Sequence, residues 1–206
     1  LGAVDDANEL TPIGVELSKL PLDPRIGRMI LEARERNALE EVLVIASALS
    51  GQDVRDRPME AQAAADQAHA KFDDDRSEFS GYLSLWKWLE QGRTGGEQEH
   101  KLSNRKYEAL LRQNFVNVRR VREWRDTHSQ LLTVVREHKW RLNTQPASYE
   151  ELHMAMLAGL LGNIGFKAEP VASNAAAVGT RTSNAHEYLG ARGIKFYPHP
   201  GAHLRK

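Results

Sequence analysis

The segment that most constrains the fold is a long amphipathic one that begins at Asn117. Its apolar residues recur every three or four positions, so they line one side of a helix that runs to about residue 138. Asn is a favoured N-cap because its side chain accepts a backbone N–H that the first turn leaves unpaired. The apolar side needs partner helices to cover it. This side comprises Val118, Val121, Trp124, Leu131, Leu132 and Val135, and the opposite side comprises Arg119, Arg122, Asp126, Ser129, Thr133 and Arg136.

Other segments supply those partners. Thr11 and Asp23 each precede a Pro, which is the order that starts a helix, because the first residue caps and the Pro ring is preset for the first turn. Residues 39–49 are almost wholly apolar, which predicts a helix buried on most sides. Residues 61–72 are rich in Ala and favour close packing. Ser148, with Glu151 three residues later, predicts a capping box and a helix to Asn163.

Two stretches break this helical pattern. Residues 91–100 are polar and contain Gly, which predicts an exposed loop. After Gly165 the chain becomes small and polar over residues 167–183, and residues 187–204 then alternate as strands do. The pattern therefore predicts a mainly α fold, a helical bundle, followed by a short β segment.

Composition limits the class of protein. The 206 residues are 41% hydrophobic and 27% charged, which suits a globular protein with one or two cores. Apolar runs stay well below the roughly 20 residues that a membrane span needs, so we expect a soluble, cytoplasmic protein. The absence of Cys excludes disulfides and thiolate metal sites. Because the chain starts at Leu1 without an initiator Met, we expect it to be a piece of a longer protein.

The charges are balanced in number but not in position. The 28 Lys and Arg residues equal the 28 Asp and Glu residues, which argues against a free-standing nucleic-acid binder. Acidic residues crowd into residues 32–75, whereas basic residues crowd into residues 112–141 and into the C-terminal end, with Arg205 and Lys206. A locally basic surface on a neutral body is the pattern expected where a neighbouring domain supplies the rest of the binding energy.

Catalytic and metal motifs are missing from the sequence. The Gly-rich run over residues 159–165 lacks the Lys of a phosphate-binding loop and follows a helical pattern. His153, His199 and His203 do not form a helical pair with a third ligand, so we predict no metal site. Scattered polar residues define no nucleophile and base, so we predict no catalytic residues. We expect His69 to make a local packing or hydrogen-bond contact, and Arg57 to fix the geometry of its loop.

Several motifs together resemble one family. They are Arg57-Pro58-Met59-Glu60, Ala64-Ala65-Asp66-Gln67-Ala68-His69, Phe72, Ser77-Glu78-Phe79, Leu85-Trp86, the basic segment 117–125, Leu20-Pro21-Leu22-Asp23-Pro24-Arg25, Met156-Leu157-Ala158-Gly159-Leu160-Leu161 and Gly190-Ala191-Arg192-Gly193-Ile194-Lys195-Phe196. In this order the motifs resemble the region C-terminal to the motor core of DEAH-box RNA helicases, most closely the bacterial HrpA-type branch. The resemblance covers almost the whole chain.

The resemblance implies three structural parts. Residues 1–22 correspond to the end of a winged helix, residues 23–165 to a ratchet-type helicase-associated bundle, and residues 166–206 to a linker and the truncated start of an OB-fold. An incomplete barrel leaves open edges and a half-filled core, so we expect this last part to be poorly ordered or to pack opportunistically.

The resemblance also implies a function. Such a region lines the channel for single-stranded RNA while motor domains elsewhere hydrolyse ATP with Mg²⁺, so this chain itself would be non-catalytic and would need no cofactor. Its implied partners are RNA, the motor domains of the same protein and a possible protein activator, with no membrane. The candidate RNA-binding residues are Arg119, Arg122, Arg125, Arg136, Arg192 and Lys195.

Alternatives stay open at this stage. The basic side of the 117–138 helix is compatible with RNA contact and equally with a solvated surface of ion pairs. The whole chain is compatible with a docking module that makes no direct RNA contact. Among the four Trp residues, Trp86 and Trp124 lie on apolar stripes and are predicted to be core, whereas Trp88 and Trp140 fall off those stripes and are the candidates for surface roles.

Overall fold

The computed structural model describes residues 1–95, 102–167, 187–199 and 202–205. Within them the chain forms eight α-helices and a small sheet, which confirms the predicted mainly α fold with a short β segment. The helices are α1 (Pro12–Ser18), α2 (Pro24–Glu35), α3 (Leu39–Leu49), α4 (Gln62–His69), α5 (Glu78–Thr94), α6 (Asn104–Gln113), α7 (Val118–Glu137) and α8 (Tyr149–Leu160).

The predicted helix starts are confirmed by their hydrogen bonds. Thr11 Oγ1 accepts from the Gly14 N–H at 3.1 Å, and the Asp23 carboxylate accepts from the Arg25 N–H at 2.8 Å. The pKa of Asp23 is lowered, first by its side-chain hydrogen bond from Arg25. Asn117 Oδ1 accepts from the Arg120 N–H at 3.1 Å, so the cap of α7 forms as its sequence predicts.

Only half of the predicted capping box forms at α8. Ser148 Oγ accepts from the Glu151 N–H at 3.2 Å. The Glu151 carboxylate instead pairs with Arg36 at 3.0 Å, which ties α8 to the end of α2. A charged partner on a neighbouring helix thus replaces the local contact that sequence spacing suggests.

The first hydrophobic core lies between α2, α3, α7 and α8. Met29, Ile30 and Ile45 are fully or almost fully buried there, together with Leu131 and Met156. Helices α2 and α8 approach closely at Gly159, where a methyl group would overlap the carbonyl of Arg25 and the side chain of Met29. The absence of a side chain at this position therefore permits the packing of α2 on α8.

The second core lies between α3, α5, α6 and α7, and is built around Phe72, Leu89, Leu111 and Trp124. Helix α7 contributes to both cores. It also holds α1, because Val134 packs with Leu20 and Leu31 in a third small cluster that includes partly buried residues of α1.

Helix α5 differs from its prediction. It continues through Thr94, into the stretch that was predicted to be a loop, and ends at Gly95, whose φ of 94° is left-handed. Gly92 lies against Tyr107 and Leu110 of α6, so a residue that reads as a break in sequence instead allows close helix packing. The predicted loop is wrong for residues 91–94, and residues 96–100 lie outside the described part of the chain.

The strands are β1 (Gly165–Lys167), β2 (Tyr188–Gly190) and β3 (Lys195–Phe196), antiparallel in the order β1-β2-β3. Leu189 pairs with Phe166 on one side and with Lys195 on the other. The side chains of all three strands are half-buried or exposed. A short turn, His203–Arg205, then contacts the bundle, where the Leu204 N–H donates to Glu78 Oε1 at 3.2 Å.

Parts of the predicted C-terminal features lie outside the described residues, namely residues 168–186, Pro200, Gly201 and Lys206. The winged-helix end, the OB-fold start and the order of that segment stay predictions. In the parts of the chain that the structure describes, no helix has both the length and the apolar character to cross a membrane.

Candidate nucleic-acid interface

The outer side of α7 is the main candidate interface. All six residues predicted for it, from Arg119 to Arg136, are exposed. The opposite side is held in the cores, with Val121, Trp124 and Leu131 buried. Since α7 rises about 1.5 Å per residue, the stripe of exposed residues is about 25 Å long. The predicted division of α7 into an apolar and a polar side is confirmed.

Two arginines of this stripe, Arg119 and Arg122, are paired with carboxylates but remain open to solvent. Arg119 Nε lies 2.8 Å from Glu123 Oε1, and the Arg119 side chain is 88% exposed. Arg122 Nη2 lies 2.6 Å from Glu108 Oε1 of α6, and its side chain is 68% exposed. Exposed ion pairs of this kind are weak, because water and salt screen them. Both guanidinium groups are therefore accessible to another anion.

Arg125 is placed differently from the other candidates. Its side chain is 17% exposed, and its guanidinium pairs with Glu90 of α5 at 2.9 Å. It also donates to the Tyr107 hydroxyl at 2.9 Å and to the Leu89 carbonyl at 3.3 Å. Burial raises the pKa of Tyr107, so its hydroxyl stays protonated and donates in turn to the Leu89 carbonyl. Arg125 thus joins α5, α6 and α7, and its donors point into the bundle.

A groove of about 530 Å³ separates α6 from α7. Val118 contributes apolar surface to it above the buried side chains of Leu111 and Val121, and Arg122 and Glu108 are among its polar lining residues. Arg93, Tyr107 and Arg125 also line it. The groove therefore combines apolar surface with basic groups, as a site for a nucleotide unit requires.

Arg192 and Lys195 lie apart from α7, the first in the β2–β3 connection and the second at the start of β3. Arg192 is exposed and adopts a left-handed backbone, with a φ of 59°. Lys195 Nζ lies 3.0 Å from Glu187 Oε1. The hydrogen bond between these two side chains raises the pKa of Lys195 and lowers that of Glu187. The six candidates thus fall into three places: Arg119, Arg122 and Arg136 on one stripe, Arg125 inside the bundle, and Arg192 with Lys195 on the sheet.

All four Trp residues are buried or half-buried, whether or not they lie on a predicted apolar stripe. Trp124 is 4% exposed, and its indole N–H donates to Val44 O and to Ser47 Oγ, each at 3.0 Å, which confirms it as core. Trp86 is half-buried against it, with ring centroids 4.9 Å apart. Trp88 and Trp140 are also half-buried, with the Lys71 ammonium 4.4 Å from the Trp88 ring and the Arg34 guanidinium 4.9 Å from the Trp140 ring. The prediction that these two rings serve surface roles therefore has no support in their packing.

Two smaller predictions are confirmed. His69 is buried, and its Nε2 lies 3.1 Å from the carbonyls of both Asn114 and Phe115, so this nitrogen carries the proton. Arg57 forms two hydrogen bonds to Asp66, at 2.7 and 2.9 Å, which fix its loop to α4. Among the described residues, no group of three His, Asp or Glu side chains is arranged to hold a metal ion.

Sequence reasoning missed the acidic partners of the arginines. Glu108 and Arg112 lie four residues apart on α6, a helical spacing that signals an ion pair and is recognisable in the sequence. The contact of Glu108 with Arg122 and that of Glu90 with Arg125 join different helices. No spacing rule reveals these two pairs, because they depend on how the helices pack.

Sequence comparisons show which known proteins this chain is similar to. Residues 23–84, which include α2 to α4 and part of α5, match the family described as "Helicase associated domain (HA2), ratchet-like". The chain is 42% identical over 200 residues to the ATP-dependent RNA helicase HrpA of Escherichia coli K12, covering 97% of this chain and 14% of the relative.

Two further relatives are also named as ATP-dependent RNA helicases. An HrpA homolog of Haemophilus influenzae is 36% identical over 96% of this chain and 14% of its own length. A DExH-box ATP-dependent RNA helicase of Arabidopsis thaliana is 31% identical over 57% of this chain and 10% of its own length. The chain thus spans about one seventh of the bacterial relatives. Residues 23–84 match a ratchet-like helicase-associated domain, and nearly the whole chain is similar in sequence to a C-terminal region of HrpA-type helicases.

Proposed function

We propose that this chain is the non-catalytic accessory region of an ATP-dependent RNA helicase and that the outer side of α7 lines the path of single-stranded RNA. Residues 23–165 form the ratchet-type unit of this region, between the end of a winged helix and the start of an OB-fold. Motor domains elsewhere in the same protein bind ATP and Mg²⁺ and drive translocation. The relatives support this assignment, because each bears the name of an ATP-dependent RNA helicase.

One observation carries the RNA contact. Arg119, Arg122 and Arg136 are exposed along one side of a helix whose other side is fixed in two cores. A rigid row of guanidinium groups holds phosphates without reading base sequence, which suits an enzyme that moves along RNA. Arg136 lies in the last turn of α7, where the helix dipole favours a cation.

The other candidates have secondary roles in this proposal. Arg125 positions α7 against α5 and α6 and makes no phosphate contact of its own. Arg192 and Lys195 provide a second, exposed basic site on the sheet, where Lys195 exchanges Glu187 for phosphate. The region binds RNA but catalyses no reaction. By itself it has a modest affinity for RNA that depends strongly on salt.

The test compares two triple variants of the 206-residue chain. Arg119→Ala, Arg122→Ala and Arg136→Ala together remove the proposed contacts, whereas Lys19→Ala, Arg25→Ala and Lys87→Ala remove three exposed cations that lie away from α7. Binding to an unstructured single-stranded RNA is measured at several salt concentrations. The α7 variant is expected to lose about two units of the slope of log affinity against log salt, since each phosphate contact contributes about 0.7. The control variant is expected to lose much less.

Equal losses in the two variants would overturn the assignment of the α7 surface. An absence of RNA binding at low salt would favour the alternative, a docking module for the motor domains or for an activator protein. In the intact helicase, the α7 variant should lower RNA-stimulated ATP hydrolysis and unwinding while circular dichroism stays unchanged.

A further inference from the structure

Glu108 lies at the meeting point of two basic side chains from different helices. Its Oε1 accepts from Arg122 Nη2 of α7 at 2.6 Å, and its Oε2 accepts from Arg112 Nη2 of α6 at 3.2 Å. One carboxylate is therefore shared by two guanidinium groups, and the three side chains together keep an excess of one positive charge.

This arrangement matches the way guanidinium groups bind a phosphate. Carboxylate and phosphate oxygens accept the same charge-assisted hydrogen bonds from Arg, so one can replace the other. The Arg112 and Arg122 side chains are each 68% exposed and that of Glu108 is 29% exposed. An incoming anion reaches the guanidinium groups from solvent, and the exposed pairs that it must break are weak.

The groove next to Glu108 fits the rest of a nucleotide. Glu108 and Arg122 both line the groove between α6 and α7, together with the ring of Tyr107. The partly exposed side chain of Val118 gives apolar contact for a base, and the phenol ring is a surface on which a base stacks. A phosphate in the place of the carboxylate would put its attached nucleoside beside these residues.

We propose that Glu108 stands in for an RNA phosphate and thereby sets how tightly the α6–α7 surface holds single-stranded RNA. A phosphodiester displaces the carboxylate, and Arg112 and Arg122 then hold the phosphate between α6 and α7. This inference rests on the proposed function, and it assigns Arg112, which lies outside the α7 stripe, to the same site. Because the carboxylate competes for the two arginines, they bind each phosphate weakly and release it when the RNA advances.

The test is the variant Glu108→Gln, which keeps the size of the side chain and removes its charge. Binding of the 206-residue chain to single-stranded RNA is expected to tighten about threefold to tenfold at moderate salt. The salt dependence should be steeper, because RNA binding no longer displaces a carboxylate that must then take up a cation. The matched control is Asp126→Asn. Asp126 lines the same groove, so this change alters the general electrostatic attraction to a similar extent and is expected to give less than half of the gain in affinity.

A second measurement repeats Glu108→Gln in a background that carries Arg112→Ala and Arg122→Ala. The gain is expected to fall there to the level of Asp126→Asn, because only the general electrostatic attraction is left once the two guanidinium groups are removed. An equal gain from Asp126→Asn, or a gain from Glu108→Gln that is undiminished without the two arginines, would overturn the inference. The proposed function fails separately, if wild-type RNA binding does not depend on Arg119, Arg122 and Arg136.

Discussion

The two sides of α7 differ in what surrounds them. On the inner side, Trp124 is 4% exposed and its indole N–H donates to the Val44 carbonyl of α3. This position therefore requires both the size of the ring and its hydrogen-bond donor. On the outer side, Arg119 is 88% exposed and touches a carboxylate of its own helix. The comparison shows that the inner residues of α7 hold the bundle, whereas its outer residues remain exposed to solvent.

Arg125 lies between these extremes and shows that residue type alone does not assign a role. It stands one residue from Trp124 and three from Arg122, yet its guanidinium has three partners inside the bundle. An Arg whose donors are used by protein groups contributes to packing, whereas an Arg with exposed donors keeps them accessible to an anion.

The largest expected effect is on the inner side. Trp124→Ala leaves a cavity between α3, α5 and α7 and removes an indole hydrogen bond, so we expect it to lower the free energy of unfolding by about 3–5 kcal/mol. Urea unfolding followed by circular dichroism measures this loss. Trp124→Phe keeps most of the ring and should cost about 1 kcal/mol. If Trp124→Ala lowered the unfolding free energy by less than about 1 kcal/mol, the inner side of α7 would not be the source of stability.

The next effect concerns Arg125. Arg125→Ala is expected to cost about 1–3 kcal/mol of unfolding free energy, because it leaves Glu90 and the Leu89 carbonyl without a charged donor. Arg119→Ala should stay within about 0.5 kcal/mol, since its pair is exposed. The same urea experiment compares them. Equal stability losses would remove the distinction between the two arginines, and Arg125→Lys should fall between, because Lys keeps the charge but not the planar fork.

The smallest effect is a pH dependence at the edge of the inner side. Burial lowers the pKa of His128, whose ring lies 4.7 Å from that of Trp86. The unfolded chain takes up a proton at this His near the ordinary value of about 6.5, before the folded chain does. Folding stability is therefore lost as the pH falls below that value towards the folded pKa.

An NMR titration of the His128 ring tests this directly, with an expected midpoint below 6.5. His128→Gln should flatten the decrease in unfolding free energy between pH 7 and the folded pKa. A midpoint at or above about 6.5 would show that the His128 ring is exposed to water in the folded chain.

Much of this fold follows from sequence patterns that act over one or two turns. The caps of α1, α2 and α7 form as predicted, since a cap and its N–H are only a few residues apart. The motif-based family prediction is confirmed by the relatives. Predictions failed where distant groups compete, as when Glu151 pairs with Arg36 or when Gly92 packs under α6 instead of ending α5.

The candidate site divides in the same way. The stripe of Arg119, Arg122 and Arg136 could be predicted, because a period of 3.6 residues assigns each position to a side of the helix. The role of Glu108 could not, because its contact with Arg122 depends on the placement of α6 beside α7.

By itself the sequence determined that the chain is mainly helical, which residues share a side of α7, and that the motifs of a nucleotide-driven motor are missing. The tertiary structure alone decided which arginines stay open to solvent and which carboxylates oppose them. The physical reason is range: helical periodicity and capping act between neighbours along the chain, whereas burial and ion pairing are set by groups that only the packing of helices brings together.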